Sequence, residues 1–288
     1  MNEEVKALII GGGMTGLCAG HYLADALGRE NVLVLESGDK VGGTAWTERA
    51  YGFICEAGPN GWLDKEPRTL KWIEDLGQKD ALLRANEKSA RRFIMRNKRL
   101  HEIKPPPAFL LSSLLTPLGR ARLLCEPLIP AKRDDGPETI WDFAARRIGK
   151  DAADTLVAAM VSGVYGGDAK QLSLALCFPK MAVMERQYGG LVKALIAKKK
   201  ENKNASAMGP GGTLTSCKQG IGHVPETAAA QLGDRVRTGT RAVKLERQGN
   251  QWRVTTSDGQ EIGAQSVVIA TPTYAASEMV VGIDEAAA

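Results

Sequence analysis

The stretch Val5-Lys6-Ala7-Leu8-Ile9-Ile10-Gly11-Gly12-Gly13-Met14-Thr15-Gly16-Leu17 decides the fold. Its apolar, partly β-branched start reads as a strand, its glycines as a turn, and Leu17, Ala19, Leu23, Ala24 and Leu27 then recur at helical spacing. A second apolar run, Val32 to Leu35, ends in Glu36, twenty residues beyond Gly16. Strand, glycine turn, helix, strand and acid make the pattern of a dinucleotide-binding unit. Gly11 allows the tight turn, Gly13 lets the backbone approach a pyrophosphate, and Gly16 lets helix pack on strand. Gly12, Met14 and Thr15 complete a turn whose amides, at the positive end of the helix, suit phosphates. Glu36 at the strand tip accepts hydrogen bonds from ribose hydroxyls, and its charge disfavours a 2′-phosphate. FAD or NAD is therefore expected, and NADP is not.

The next residues choose between the two. Lys40-Val41-Gly42-Gly43-Thr44 is a second glycine turn directly after the acid. It resembles the R-x-G-G element of flavoproteins of the amine oxidase superfamily, with Lys40 keeping the charge of the usual arginine but not its forked geometry. The expectation is FAD.

Composition sets the outer bounds. The 288 residues suffice for one large or two modest domains, and 43% hydrophobic with 25% charged residues describe an ordinary globular chain. A net charge of +5 with 5% aromatics and scattered basic residues does not indicate nucleic-acid binding. Five well-separated cysteines, Cys18, Cys55, Cys125, Cys177 and Cys217, contain no CxxC and suggest reduced thiols in a cytoplasmic protein. Cys18 reads as a small buried residue of the first helix. Met1-Asn2-Glu3-Glu4 is acidic and short, so no signal peptide is expected, and no apolar run reaches the roughly twenty residues of a membrane span. A soluble protein, at most peripheral to the inner face of a membrane, is the expectation.

Along the chain, Tyr51 to Cys55 reads as a strand running into the loop Glu56-Ala57-Gly58-Pro59-Asn60-Gly61-Trp62. Residues 65–76 form an amphipathic helix pattern stopped by Gly77. A basic stretch from Ser89 reads as a hairpin, with strands near Phe93 to Met95 and Leu100 to Ile103 flanking Asn97-Lys98. Pro105-Pro106-Pro107 breaks the chain, and from Ala108 to about Lys200 the pattern is mostly helical, including Glu138 to Arg147 and Asp151 to Val161. Ala197 to Asn204 reads as a charged, solvated loop with contact to anionic lipid as the minority reading, and Gly209-Pro210-Gly211-Gly212 continues it. A helix over Val224 to Leu232 follows, then one or two strands over Val236 to Leu245. Gln251 to Thr256 and Gln260 to Ile262 pair across Ser257-Asp258-Gly259, and Ser266 to Ala270 is a buried strand before Thr271-Pro272. The expected fold is mixed α/β (α+β): a Rossmann-like FAD-binding domain over residues 1–88 and 209–288, interrupted by a mostly helical substrate-binding or membrane-facing insertion over 89–208.

Several stretches together resemble the oxygen-dependent protoporphyrinogen and coproporphyrinogen oxidases of heme biosynthesis. They are Gly11 to Gly16, Glu36-Ser37 with Gly42-Gly43, and Glu56 to Gly61; within the insertion they are Val161-Ser162-Gly163-Val164-Tyr165-Gly166-Gly167-Asp168, Leu172-Ser173, Phe178-Pro179-Lys180, Glu185 and Tyr188-Gly189-Gly190-Leu191. The resemblance implies FAD contacts at Gly11, Gly12, Gly13, Met14, Thr15, Gly16, Glu36, Ser37, Gly42, Gly43, Thr44, Gly58, Pro59, Asn60 and Gly61, with Val243 against the adenine. It also implies that Arg92 pairs with a substrate propionate, which suits a guanidinium fork. As one arginine of a basic hairpin, Arg92 reads equally as a surface residue.

The implied reaction is stepwise oxidation of a porphyrinogen to the porphyrin, with hydride leaving a meso carbon for flavin N5 and O2 reoxidising the flavin to give hydrogen peroxide. The flavin carries that chemistry, and no catalytic acid–base pair is demanded of the protein. His21, His101 and His223 form no metal pattern, and Ser162 lacks the nucleophile elbow. A homodimer and peripheral membrane contact stay open. The family continues well past Ala270-Thr271-Pro272, so the sequence reads as an N-terminal fragment or truncated homologue, which puts catalysis by this chain alone in question. Two other readings stay open, an amine-oxidase-like or carotenoid-desaturase-like flavoenzyme and a catalytically incomplete flavoprotein.

Overall fold

The computed structural model describes residues 3–86, 91–103, 113–134, 136–201 and 212–284. The readings on Ser89, Ala90, Pro105 to Ala108, Asn202 to Gly211 and the last four residues lie outside them. The chain divides into two compact units, Met1–Ala85 with Gly211–Ala288, and Asn86–Pro210.

In chain order the first unit begins with β1 (Glu3–Ile10), α1 (Met14–Leu27), β2 (Val32–Leu35), β3 (Thr47–Ala50), β4 (Phe53–Glu56), β5 (Trp62–Leu63), α2 (Pro67–Asp75) and β6 (Leu82–Arg84). The inserted unit holds β7 (Phe93–Arg96), β8 (Arg99–Glu102), α3 (Pro117–Leu124), α4 (Ile140–Ile148) and α5 (Lys150–Ala152), which passes through a π-helical turn (Ala153–Val157) into α6 (Ala158–Tyr165). It continues with α7 (Leu174–Cys177), α8 (Pro179–Tyr188) and α9 (Leu191–Glu201). The first unit then resumes with β9 (Leu214–Cys217), α10 (His223–Leu232), β10 (Val236–Arg237), β11 (Ala242–Gln248), β12 (Gln251–Thr256), β13 (Glu261–Ile269) and α11 (Thr273–Val280).

The first unit is built on a six-stranded sheet in the order β10-β2-β1-β13-β12-β11. Its first four strands are parallel, and β12 and β11 add an antiparallel meander. β2 is an unbroken apolar run and β1 is apolar from Ala7 to Ile10, because both sheet faces are covered there. Ala7, Ile9, Val32 and Val34 pack with Leu17, Trp72, Ile73, Val224, Ala228 and Leu232, whereas Val5, Leu8, Ile10, Leu33 and Leu35 pack with Leu245, Val254, Ile262, Ala264 and Met279. Within β2, and from Ala7 to Ile10 in β1, the split between odd and even positions follows the two-residue period of a strand. A fully buried leucine such as Leu8 contributes roughly 1.5–3 kcal/mol by leaving water. Gly16 makes the close approach of α1 possible, since a Cβ there would run into the carbonyl oxygen of Gly11 and lie 3.2 Å from Ile9.

Four readings need correction. Tyr51 is not in a strand: Tyr51-Gly52 is the turn between β3 and β4, with Tyr51 at φ 53° and almost wholly exposed. Local apolar pattern cannot show a tyrosine adopting a left-handed backbone. The runs at 260–262 and 266–270 are one strand, β13, whose whole length pairs with β1. The helix over Asp151 to Val161 contains the π turn and extends to Tyr165. Residues 197–201 continue α9 instead of forming a loop. Among the described residues, no helix is long and apolar enough to cross a membrane.

Candidate functional site

The first unit gathers the glycine turns at one edge of its sheet. Gly11 N donates to the Leu35 carbonyl (2.8 Å), closing the first turn on the tip of β2. Gly42 N donates to the Gly12 carbonyl (2.8 Å), and Gly13 and Gly42 form a parallel bridge, so the two turns make one cradle. Gly13 precedes α1 with no side-chain cap and no acid in the first turn. The amides of that turn lack intrahelical acceptors and face a surface where a Cβ on Gly13 would meet nothing within 4 Å. An anion is the natural occupant of such a helix start.

Glu36 is fixed by backbone amides. Its Oε2 accepts from Gly12 N (2.7 Å), its Oε1 accepts from Gly38 N (2.7 Å), and the Ser37 hydroxyl donates to Oε1 (3.2 Å). The segment after β10 runs alongside: Glu36 N donates to the Arg237 carbonyl, Thr240 N to the Glu36 carbonyl, and Gly239 N to the Gly38 carbonyl (2.7–2.8 Å). This leads the chain into β11, where Val243 sits half-exposed at a register shift between Ala242 and Lys244. Lys40, the one cation between Glu36 and Thr44, stands over the Trp46 ring at 5.1 Å.

The loop Gly58-Pro59-Asn60-Gly61 returns to this cradle, with Gly58 against the Thr44 carbonyl and Gly61 beside the Thr215 carbonyl of β9. Glu56 anchors it. Its carboxylate accepts from the Thr47 hydroxyl (2.7 Å) and from Ile221 N (3.0 Å), while Thr47 Oγ1 accepts from Gly222 N (2.9 Å), just before α10. Burial, with the Glu56 carboxylate adding to it, pushes the nearby Cys217 thiol up to about 11. A mainly apolar pocket of about 290 Å³ opens beside the cradle, lined by Met14, Thr44, Pro59, Trp62, Trp72 and Val224 among others. Nothing in the sequence pattern signalled Thr47 or the pocket, because each depends on residues far apart in the chain.

All the expected cofactor residues belong to the first unit. Arg92 belongs to the inserted unit, where it is exposed ahead of β7 and its carbonyl accepts from Ile103 N (2.9 Å). There, the motif residues quoted for the insertion build a framework. Gly166, at φ 62°, ends α6; Pro179 opens α8; Gly189, at φ 74°, ends it; and Leu191 starts α9. The amides of Leu191 and Val192 donate to Glu126, which is buried against Arg147. Arg147 also reaches Glu185, and Arg146 bridges Glu185 and Glu138. Burial pushes the Glu126 carboxyl up, but Arg147 and the two amides outweigh it and hold it below the usual range. Hydrogen bonds from Arg146 to Glu185 and Glu138 likewise raise the Arg146 pKa against burial. Among the described residues no group of three metal-binding side chains occurs.

The comparisons with known proteins agree with this geometry. A family model described as flavin containing amine oxidoreductase matches residues 14–285. The chain belongs to that family. Its cofactor is FAD, and the uncapped helix start, the double glycine turn and the amide-held carboxylate fit the diphosphate and ribose of that molecule. The chain is 27% identical to the coproporphyrinogen III oxidase of Bacillus subtilis over 94% of its own length and 61% of the relative's. It is 31% identical to the chloroplastic protoporphyrinogen oxidase 1 of Arabidopsis thaliana over 98% of its length and 55% of the relative's. The chain thus spans a little over half of these relatives. An Exiguobacterium structure, named as a candidate protoporphyrinogen oxidase, shares the fold at a TM-score of 0.76 and 23% identity, covering 97% of this chain and 62% of that one.

Proposed function

We propose that this chain forms the FAD-holding and substrate-receiving part of a porphyrinogen oxidase, converting protoporphyrinogen IX or coproporphyrinogen III to the porphyrin with O2 as acceptor and hydrogen peroxide as product. The observation that carries the reading is the stitched double glycine turn with Glu36 held by two amides, taken with the names of the relatives. FAD, when bound, supplies the hydride acceptor.

The chain's own residues bind and orient. Amides at the uncapped start of α1, from Gly13 onward, hold the pyrophosphate, with Gly11, Gly12 and Gly42 shaping the turn and Gly43 and Thr44 closing over it. Glu36, with Ser37 beside it, has lone pairs left for the ribose hydroxyls after its two amide bonds. The Gly58 to Gly61 loop borders the flavin half, Val243 lies against the adenine, and Arg92 pairs with a substrate carboxylate. The protein works in the cytoplasm or at a membrane surface.

The test is direct. The purified chain should bind ADP and FAD in a titration followed by tryptophan fluorescence, and a full-length form should produce porphyrin fluorescence when porphyrinogen is added in air. Failure to bind either nucleotide, in a chain shown to be folded, would remove the reading.

A further inference from the structure

Only five buried side-chain polar atoms lack a hydrogen-bond partner among the described residues, and two of them belong to residues that line the same pocket of the first unit. They are the indole N–H groups of Trp62 and Trp72. Trp72, on α2, packs in the core with Ile9, Leu17 and Val224 and is 6% exposed. Trp62, on β5, is half-buried and held by the pairing of that strand with β9, where it faces Thr215. The remaining walls are mainly apolar, with Met14, Ile73 and Val224 among them. A donor withdrawn from water without an acceptor is costly and rare in a native protein, so two at one pocket call for an explanation.

The order of groups along FAD supplies it. The molecule runs adenine, ribose, diphosphate, ribityl chain, flavin. Glu36 and Val243 take the adenosine end in the cradle reading, and neither lines the pocket. Met14, the first residue of α1 beyond the diphosphate turn, and Thr44, which follows the second glycine turn, both line it. The pocket therefore continues the cradle past the diphosphate. Its volume of about 290 Å³ is enough for a ring system and too small for a whole dinucleotide. An isoalloxazine is flat, apolar at its dimethylbenzene end and rich in ring-nitrogen and carbonyl acceptors at the other. Apolar walls with two unpaired N–H donors are complementary to that group and to no other part of the cofactor.

We propose that this pocket receives the isoalloxazine ring and that Trp62 and Trp72 hold it, their indoles turning to give the ring's acceptors the N–H groups that have no partner in the empty pocket. This rests on the reading of the cradle as the FAD site. It adds two residues that lie outside the glycine turns and outside the Gly58 to Gly61 loop, and it anchors the cofactor at both ends within the first unit.

Calorimetric titration of the whole chain with ADP and with FAD tests it without turnover, since only FAD carries the ring. FAD should bind at least about tenfold tighter than ADP, and the visible absorption band of bound FAD should resolve into shoulders as the ring leaves water. Trp62→Phe and Trp72→Phe each keep an aromatic ring and remove the N–H. Each should cut the advantage of FAD over ADP about fivefold while ADP affinity stays as in wild type, which also shows that the first unit remains folded. Because Trp72 is a core residue, a Trp72→Phe chain that loses its thermal transition leaves Trp62→Phe to decide. Equal affinities for FAD and ADP, a bound flavin whose band keeps its shape in water, or a Trp62→Phe chain with an unaltered FAD-to-ADP ratio would overturn the proposal. If ADP binds and FAD gains nothing over it, the cradle reading stands and only the pocket assignment falls. If a folded chain binds neither, the cradle reading falls first and the proposal with it.

Discussion

Glu36 in the first unit and Glu126 in the inserted one are both carboxylates taken partly out of water, and they are held in opposite ways. Glu36 is fixed by the amides of Gly12 and Gly38 and forms no ion pair among the described residues, so it is oriented yet still has lone pairs to offer. Glu126 is saturated by the Arg147 guanidinium and two helix amides, with 1% of its surface exposed. A carboxylate meant for a ligand is positioned by neutral donors; one meant for the framework is neutralised by a cation. The cost of removing a partner should therefore be large in the second unit and appear as lost affinity in the first.

The strongest way to break this contrast is Arg147→Met. It leaves Glu126 buried without its countercharge and should cost about 4 kcal/mol, seen as a loss of the insertion's thermal transition by circular dichroism. Adding Glu126→Gln should recover part of the loss, because the unpaired charge is gone and the helix amides keep an acceptor. The pH response has a fixed sign. The Glu126 pKa is depressed in the folded protein, so its stabilisation is complete above the ordinary value of 4.5 and disappears as pH falls through the lowered one. Stability of wild type should drop over that acid range more steeply than that of Arg147→Met/Glu126→Gln.

Glu36→Ala should lower stability by about 1–2 kcal/mol, because the amides of Gly12 and Gly38 lose their acceptor, and weaken ADP binding by roughly 2 kcal/mol, about thirtyfold in Kd by calorimetry. Unchanged ADP affinity would mean that Glu36 serves the turn and not the ligand. Thr47→Val, which strips two hydrogen bonds from the anchor of the Gly58 to Gly61 loop, should lower stability by about 1.5 kcal/mol in urea denaturation. At the small end, Lys71→Met removes an exposed i,i+4 pair with Asp75 and should change stability by about 0.3–0.5 kcal/mol or less. A larger effect there would undo the distinction between paired charges that matter and those that do not.

The cradle was legible in the sequence because its parts are local. Residues 5–16, 32–36 and 40–44 each carry a strand, a turn or an acid whose job can be derived from short spacing. The Glu126–Arg147–Glu185 network was not legible, since its members are 21 and 38 residues apart and become partners only after α4, α8 and α9 pack. In the sequence Glu185 stands out only through a resemblance; in the fold it accepts from both Arg146 and Arg147. The same limit explains the misplaced Tyr51 and the division of β13: a side chain tolerating positive φ, and a strand held by a distant partner, leave little mark on nearby residues.

The pairing of β1 with β13 also has a consequence for how the protein is made. Ile10 lies beside Ile269, so β1, once made, waits for its central neighbour while the long stretch of chain between them is synthesised. At about 5–20 residues per second that delay is roughly 10–50 s. During it one edge of a strand that is apolar from Ala7 to Ile10 is open to other nascent chains, and production of soluble protein should depend on chaperone supply more than on the stability of the finished fold.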